Sequence, residues 1–112
     1  MRQAEIYRKK VLAGILTEDG GEYRFCYDEA YLKREDALPI SLTFPLQMET
    51  FVSPVLFPFF DGLIPEGWLL DVALRNTDIS MLDRMSILLL CCKECIGSVS
   101  VVPINKEGGD NV

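Results

Sequence analysis

The 112-residue sequence contains no histidine. That one absence excludes Ser-His-Asp triads, Cys-His dyads and histidine-ligated metal centres together. Catalysis would have to run on carboxylates, lysines or thiols, and no cluster of these stands out. A Gly-rich phosphate loop and a His-Arg-Asp catalytic loop are also missing, and Phe60-Asp61-Gly62 has the wrong order for the Asp-Phe-Gly motif of kinases. Positive charge is scarce: 11 Lys and Arg stand against 17 Asp and Glu, a net charge of -6. Phosphate backbones repel such a chain, which argues against direct nucleic-acid binding. An acidic surface can instead assist association with a basic protein. Long hydrophobic runs are missing too. The longest, Ile87 to Cys92, is far short of a bilayer span, and the polar stretch Met1 to Lys10 is no signal peptide. These features lead to the expectation of a non-catalytic, cytoplasmic protein with no membrane association and no cofactor.

Four cysteines are present, with Cys91, Cys92 and Cys95 crowded together and Cys26 alone, which is no disulfide framework. A Cys-x-x-Cys pair can bind zinc or cycle its thiols when a second ligand pair completes the site. Here that pair is missing, so the better reading has Cys91 and Cys92 finishing an apolar helix face and Cys95 opening a strand. A cysteine-based metal or redox protein remains the alternative of another class, and no metal ligand is assigned.

The first part of the chain reads as β. Ile6 to Leu16 is an apolar-rich segment interrupted by Arg8, Lys9 and Lys10, and Glu18-Asp19-Gly20-Gly21 supplies a turn. Tyr23, Phe25 and Tyr27 alternate with Arg24 and Cys26, which places three aromatics on one strand face. These two runs form a hairpin. Tyr31 to Asp36 is expected to make one surface helical turn. Ile40, Leu42 and Phe44 alternate with Ser41 and Thr43, which predicts a half-buried strand ended by Pro45, and Glu49 to Val52 adds a short edge strand.

From Phe57 the pattern changes. A helical turn is expected at Asp61-Gly62-Leu63-Ile64. Pro65 suits the first position of a helix running to about Asn76, with Glu66 favouring its dipole. Ser80 and Asp83 resemble a capping box ahead of a second helix, with Leu82, Met85, Leu89 and Cys92 on one apolar face. Gly97 to Val102 closes a domain at residues 1–104 as a strand with Val99 and Val101 on one face, and Asn105 to Val112 is a flexible polar tail. Strands, two principal helices and a final strand make an α+β domain with a mainly antiparallel sheet.

Trp68 is the only tryptophan. Its helix is apolar at Trp68, Leu69, Leu70, Val72, Ala73 and Leu74, more than one face of a surface helix needs. The ring suits a binding interface and its own core equally well.

Several blocks resemble the N-terminal subdomain of the HipA family of toxin kinases: Tyr27-x-x-x-Tyr31-Leu32, Pro39-Ile40-Ser41-Leu42, Phe44-Pro45-Leu46, Pro58 through Gly67, and Cys95-Ile96-Gly97-Ser98-Val99. They keep the family order and cover Val11 to Pro103, with the Pro58–Gly67 block the most specific. In HipA-like kinases the subdomain continues into a kinase core, whereas this sequence turns into its polar tail at about that junction. It is therefore similar to the HipS-type small proteins of tripartite HipBST toxin–antitoxin systems. The resemblance implies an antitoxin that binds and neutralises a HipT-like Ser/Thr kinase, with a HipB-like DNA-binding protein as a further member of the complex. The alternative within the family is a structural subunit that completes and supports such a kinase. Where HipA proteins often carry arginine, Trp68-Leu69-Leu70 follows here. The residues expected to meet the partner are Asp61, Gly62, Leu63, Ile64, Pro65, Glu66, Gly67 and Trp68, docking near the kinase nucleotide site.

Overall fold

The computed structural model describes residues 1–64, 75, 83–91 and 99–104. Three strands, β1 (Arg2–Arg8), β2 (Val11–Asp19) and β3 (Glu22–Tyr27), form a meander. Two edge strands extend it, β4 (Phe51–Ser53) beside β3 and β5 (Val99–Pro103) beside β1. The spatial order is β4-β3-β2-β1-β5, and every pairing is antiparallel. The described helices are α1 (Glu29–Leu32), α2 (Pro58–Asp61) and α3 (Arg84–Cys91). The expected α+β domain with an antiparallel sheet is thus the fold observed.

Two hairpin turns build the meander with the same backbone geometry and different residues. Gly20 and Gly21 have φ of 62° and 87°, as the sequence predicts for a tight turn. Ile6 to Leu16, however, is not one segment: it folds back at Lys9 and Lys10, whose φ values are 51° and 69°. A left-handed backbone costs a residue with a Cβ roughly 1–2 kcal/mol, which is why glycine or asparagine normally marks such a turn. Without that mark the turn was not legible.

One face of the sheet carries the core. Pro103, Ala4, Leu16, Phe25 and Phe51 form one continuous cross-strand row, and Val101, Ile6, Gly14 and Tyr27 the next. A Cβ at Gly14 would collide with the Cys26 carbonyl and with the Phe25 ring, so the missing side chain makes room for that ring to lean across the sheet. Phe25 in turn packs against Phe44 and Phe60, with centroids 5.0 and 5.8 Å away.

Helix α3 covers this face with Met85, Ile87 and Leu88, all fully buried. The predicted stripe is therefore corrected: Leu89 sits at its flank, only partly buried, while Leu82 and Cys92 lie outside the described residues. Polar tethers set the rotation of the helix. Arg84 Nε meets the Asp61 carboxylate at 2.7 Å, and Asp83 accepts the Ser86 hydroxyl at 2.7 Å and its backbone N–H at 3.3 Å. Asp83 is thus itself the residue that caps α3, and Ser80 lies outside the described residues. Arg2 on β1 completes the tie, with contacts of 3.1 Å to Asp83 and 3.0 Å to Glu18.

The strand expected at Ile40 to Phe44 does not form. Ile40 and Phe44 are buried but Leu42 between them is 100% exposed, because the segment is a turn. The Phe44 N–H bonds to the Ser41 carbonyl at 3.0 Å, and the Thr43 N–H to the Ser41 hydroxyl at 3.3 Å. A turn and a strand both place alternate side chains inward over so short a stretch. The helical turn expected at Tyr31 to Asp36 also sits earlier, at Glu29–Leu32, where the Asp28 carboxylate caps it by accepting the Tyr31 N–H at 3.2 Å. Tyr31 is consequently buried and not on the surface. The helical turn expected at Asp61 to Ile64 likewise begins earlier, as α2 at Pro58. The edge strand predicted at Glu49 to Val52 forms as β4, starting two residues later and ending one later.

Candidate functional site

Residues 37–50 have no ladder to satisfy their backbone, and two phenols serve it at Leu38, Ile40 and Phe44. The Tyr27 hydroxyl accepts the Ile40 N–H at 3.1 Å and donates to the Phe44 carbonyl. The Tyr31 hydroxyl donates to the Leu38 carbonyl at 2.5 Å and accepts the Leu38 N–H at 3.3 Å. The two rings stack, 6.0 Å apart and nearly parallel. Burial raises the Tyr27 pKa above the usual 10.0, only partly offset by the Ile40 N–H, so the phenol stays protonated and keeps its donor.

The loop held in this way is unusually apolar at its surface. From Ala37 to Phe60 the only charged residue is Glu49, in a chain that is 25% charged. Leu38, Leu42, Met48, Val52 and Val55 are all more than half exposed. Beside them a groove of about 180 Å³ is lined by Thr43, Phe44, Phe51, Val52, Phe57 and Pro58. It runs from the edge strand β4 to the first residue of α2. Depletion of charge around exposed apolar groups is the compositional signature of an interface centre. This surface was missed at the level of sequence, where Leu42 was placed in a strand; the absence of charge over Ala37 to Phe60 was the available signal.

Of the residues expected to meet a partner, the structure describes four. Helix α2 starts at Pro58, whose missing N–H costs nothing there, and its first turn closes through Asp61 N–H to the Phe57 carbonyl at 3.0 Å. Fully buried Phe60 anchors it among Phe25, Phe44 and Phe59. Asp61 spends its carboxylate on Arg84, tying α2 to α3, and Gly62 is exposed. Leu63 is half-buried and Ile64 buried, both against the core. Pro65, Glu66, Gly67 and Trp68 lie outside the described residues, as does the helix expected from Pro65 to Asn76. None of these four residues lines the groove; α2 carries Asp61 at its C-terminal end and supplies Pro58 to the groove at its start.

Cys26 is half-buried on β3, and its thiol points to the Tyr27 carbonyl at 3.5 Å. Cys92, Cys95 and the tail from Asn105 lie outside the described residues. Among the described residues no three His, Cys, Asp or Glu side chains come together as metal ligands, and no helix is long and apolar enough to cross a membrane.

Comparison with known proteins places this architecture. A family model described as the HipA N-terminal domain matches residues 4–102. An uncharacterised protein of Haemophilus influenzae is 31% identical over 101 residues, which cover 90% of this chain and 92% of that one. A Sinorhizobium fredii protein with a kinase designation, Y4mE, is 32% identical over 104 residues, 86% of this chain but 23% of its own length. Among solved structures, one titled the N-terminal domain of HipA toxin superposes with a TM-score of 0.74 at 29% identity, covering 95% of each chain. The resemblance read from the Tyr27, Pro39, Phe44 and Pro58 blocks is upheld, and the chain belongs to the HipA N-terminal domain family.

Proposed function

We propose that this protein is an antitoxin-like binding module that docks on a HipT-like Ser/Thr kinase and neutralises it. The observation that carries the reading is the apolar, nearly uncharged surface from Leu38 to Pro58, leading directly into Asp61, on a domain whose relatives include a kinase-designated protein. On this reading the groove and the exposed leucines and valines supply the buried centre of the interface. The segment from Asp61 to Trp68 reaches toward the nucleotide site and obstructs ATP binding or closure. A HipB-like DNA-binding protein would join the same complex in the cytoplasm, and this acidic chain would not touch DNA itself. The match to only 23% of Y4mE favours a second reading: there the domain is a minor part of a longer polypeptide, which suits a subunit that completes and supports a kinase.

One experiment separates the two. Autophosphorylation of a partner HipT-like kinase is measured with and without an equimolar amount of this protein, alongside a binding assay. Binding with loss of activity supports neutralisation; binding with unchanged or increased activity rejects it in favour of the supporting subunit. The double substitution Leu42→Ser/Val55→Ser should weaken binding at least tenfold with a change in stability below about 0.5 kcal/mol, since both side chains are solvent-exposed. If binding is unchanged, the apolar surface is not the interface. Trp68→Ala should retain binding in part and lose inhibition.

A further inference from the structure

The turn at Lys9-Lys10 is unexplained by the fold. The other hairpin has the same two-residue, left-handed geometry and builds it from Gly20-Gly21. At Lys9 and Lys10 two cationic side chains occupy the positions glycine would take without strain. Backbone strain held in place by the surrounding structure is a pointer to function when the strained residues carry chemistry.

What surrounds this turn is cationic. Arg8, Lys9 and Arg34 line one hollow beside it, and with their sequence neighbours Lys10 and Lys33 they are five of the eleven Lys and Arg in an otherwise acidic chain. Lys33 is 3.8 Å from Glu29, whereas Arg8, Lys9 and Lys10 make no ion pair among the described residues. Between the turn and the end of α1 lies a concavity of about 270 Å³ lined by Arg8, Lys9, Val11, Tyr31, Arg34 and Asp36. Val11 and the buried Tyr31 supply apolar lining, and Arg8, Lys9 and Arg34 the cationic lining. One carboxylate already sits there: Arg34 grips Asp36 through Nε at 2.9 Å and Nη2 at 3.1 Å. That contact holds the Asp36 carboxyl below the usual range, and the nearby Arg8 charge adds to the effect. The cavity therefore holds an anion of its own, tethered and singly charged, with two further cations, Arg8 and Lys9, left beside it.

We infer that the concavity between the Lys9-Lys10 turn and Arg34 binds a compact phosphoryl dianion. A second carboxylate would only duplicate what Asp36 supplies, whereas a dianion can engage Arg8 and Lys9 together and compete for Arg34, which suits bidentate recognition of phosphate. A long polyanion is disfavoured by the net charge of -6 on the rest of the chain. The phosphoryl group could be free, as phosphate or a small phosphorylated metabolite, or carried on a protein side chain. The inference is independent of the proposed kinase docking, since no residue that lines the apolar groove lines this concavity.

The test is amide NMR on the full chain titrated with inorganic phosphate, against sodium chloride at matched ionic strength. Saturable one-to-one shifts at Arg8 to Val11 and at Arg34 are expected with phosphate and not with chloride. Lys9→Asn/Lys10→Gly should weaken phosphate binding at least tenfold while raising the thermal midpoint by about 4 °C or more, because it relieves the backbone. A phosphoserine peptide binding at least tenfold tighter than phosphate identifies a phosphorylated side chain as the source; equal affinity identifies a small molecule. Non-saturating shifts, shifts reproduced by chloride, or unchanged affinity in the variant would each overturn the site. Preferential binding of a DNA duplex at equal phosphate concentration would overturn the compact anion.

Discussion

Replacing Tyr27 with phenylalanine removes one oxygen, and the structure says what that oxygen does. It serves two backbone groups of the loop, the Ile40 N–H and the Phe44 carbonyl, at a site where the phenol is almost fully enclosed. The ring and its packing against Phe25 remain. The loss is therefore that of a buried donor and a buried acceptor without their partner, about 1–3 kcal/mol by the usual cost of such groups. In a domain of this size that lowers the thermal midpoint by roughly 5–15 °C. Urea denaturation should show a lower midpoint with unchanged slope, and hydrogen exchange should show protection lost at Ile40 before the sheet opens. Tyr31→Phe is the internal control: both its bonds go to Leu38, which is half exposed, so water can replace them and the cost should stay below about 1 kcal/mol. The sign of the alkaline response follows from the same burial. Tyr27 titrates above 10.0 in the fold, so its contribution is complete below pH 10 and is lost as pH rises through the folded value. A cost below about 0.5 kcal/mol for Tyr27→Phe, or equal costs for the two substitutions, would refute the claim that this phenol holds the loop.

Gly14→Ala should be among the most damaging single-methyl additions in the protein. The new methyl meets the Cys26 carbonyl and the Phe25 ring in the fully packed centre of the sheet, so a loss of about 1–3 kcal/mol or more in chemical denaturation is expected. Acid should loosen the tie between β1 and α3. Burial pulls the Asp83 carboxyl up, but hydrogen bonds from Ser86 and Arg2 outweigh it and leave the folded value below 3.8. Its stabilisation is thus present above pH 3.8 and lost as pH falls through the lower folded value, and Asp83→Asn should flatten the stability profile in that window.

The sheet was legible where residue type and geometry agree. Tyr23, Phe25 and Tyr27 alternate because β3 buries one face, and Gly20-Gly21 marks its turn because glycine tolerates positive φ. Lys9-Lys10 makes the same turn without the mark, so β1 and β2 ran together in the sequence. Ile40, Leu42 and Phe44 show the opposite failure: the alternation was real, but its cause was the phenols of Tyr27 and Tyr31 holding a turn, a long-range arrangement that no local pattern carries. The stripe on α3 missed for a similar reason, since Asp61 and Arg2, distant in sequence, fix the rotation of the helix. For the candidate surface, resemblance pointed to the Pro58–Gly67 block, while the exposed residues before it had to wait for the turn to be seen.

The same tyrosines bear on whether the apolar loop suits recognition. An irregular segment with exposed leucines would ordinarily be mobile, and ordering it on binding would cost conformational entropy. Here its backbone is pinned at Leu38, Ile40 and Phe44 by phenols rooted in β3 and α1, and Phe44 is locked against Phe51 and Phe57 at 4.9 and 5.2 Å. Leu42 therefore projects from a turn whose two ends are buried, and Val52 from a strand paired on one side. A surface with apolar side chains outward and a fixed frame beneath loses little order when covered. Weakening the frame should then weaken binding of the partner as well: on the proposed reading Tyr27→Phe, a buried position outside the lining of the groove, lowers affinity for the kinase through loop disorder, and Tyr31→Phe does so less.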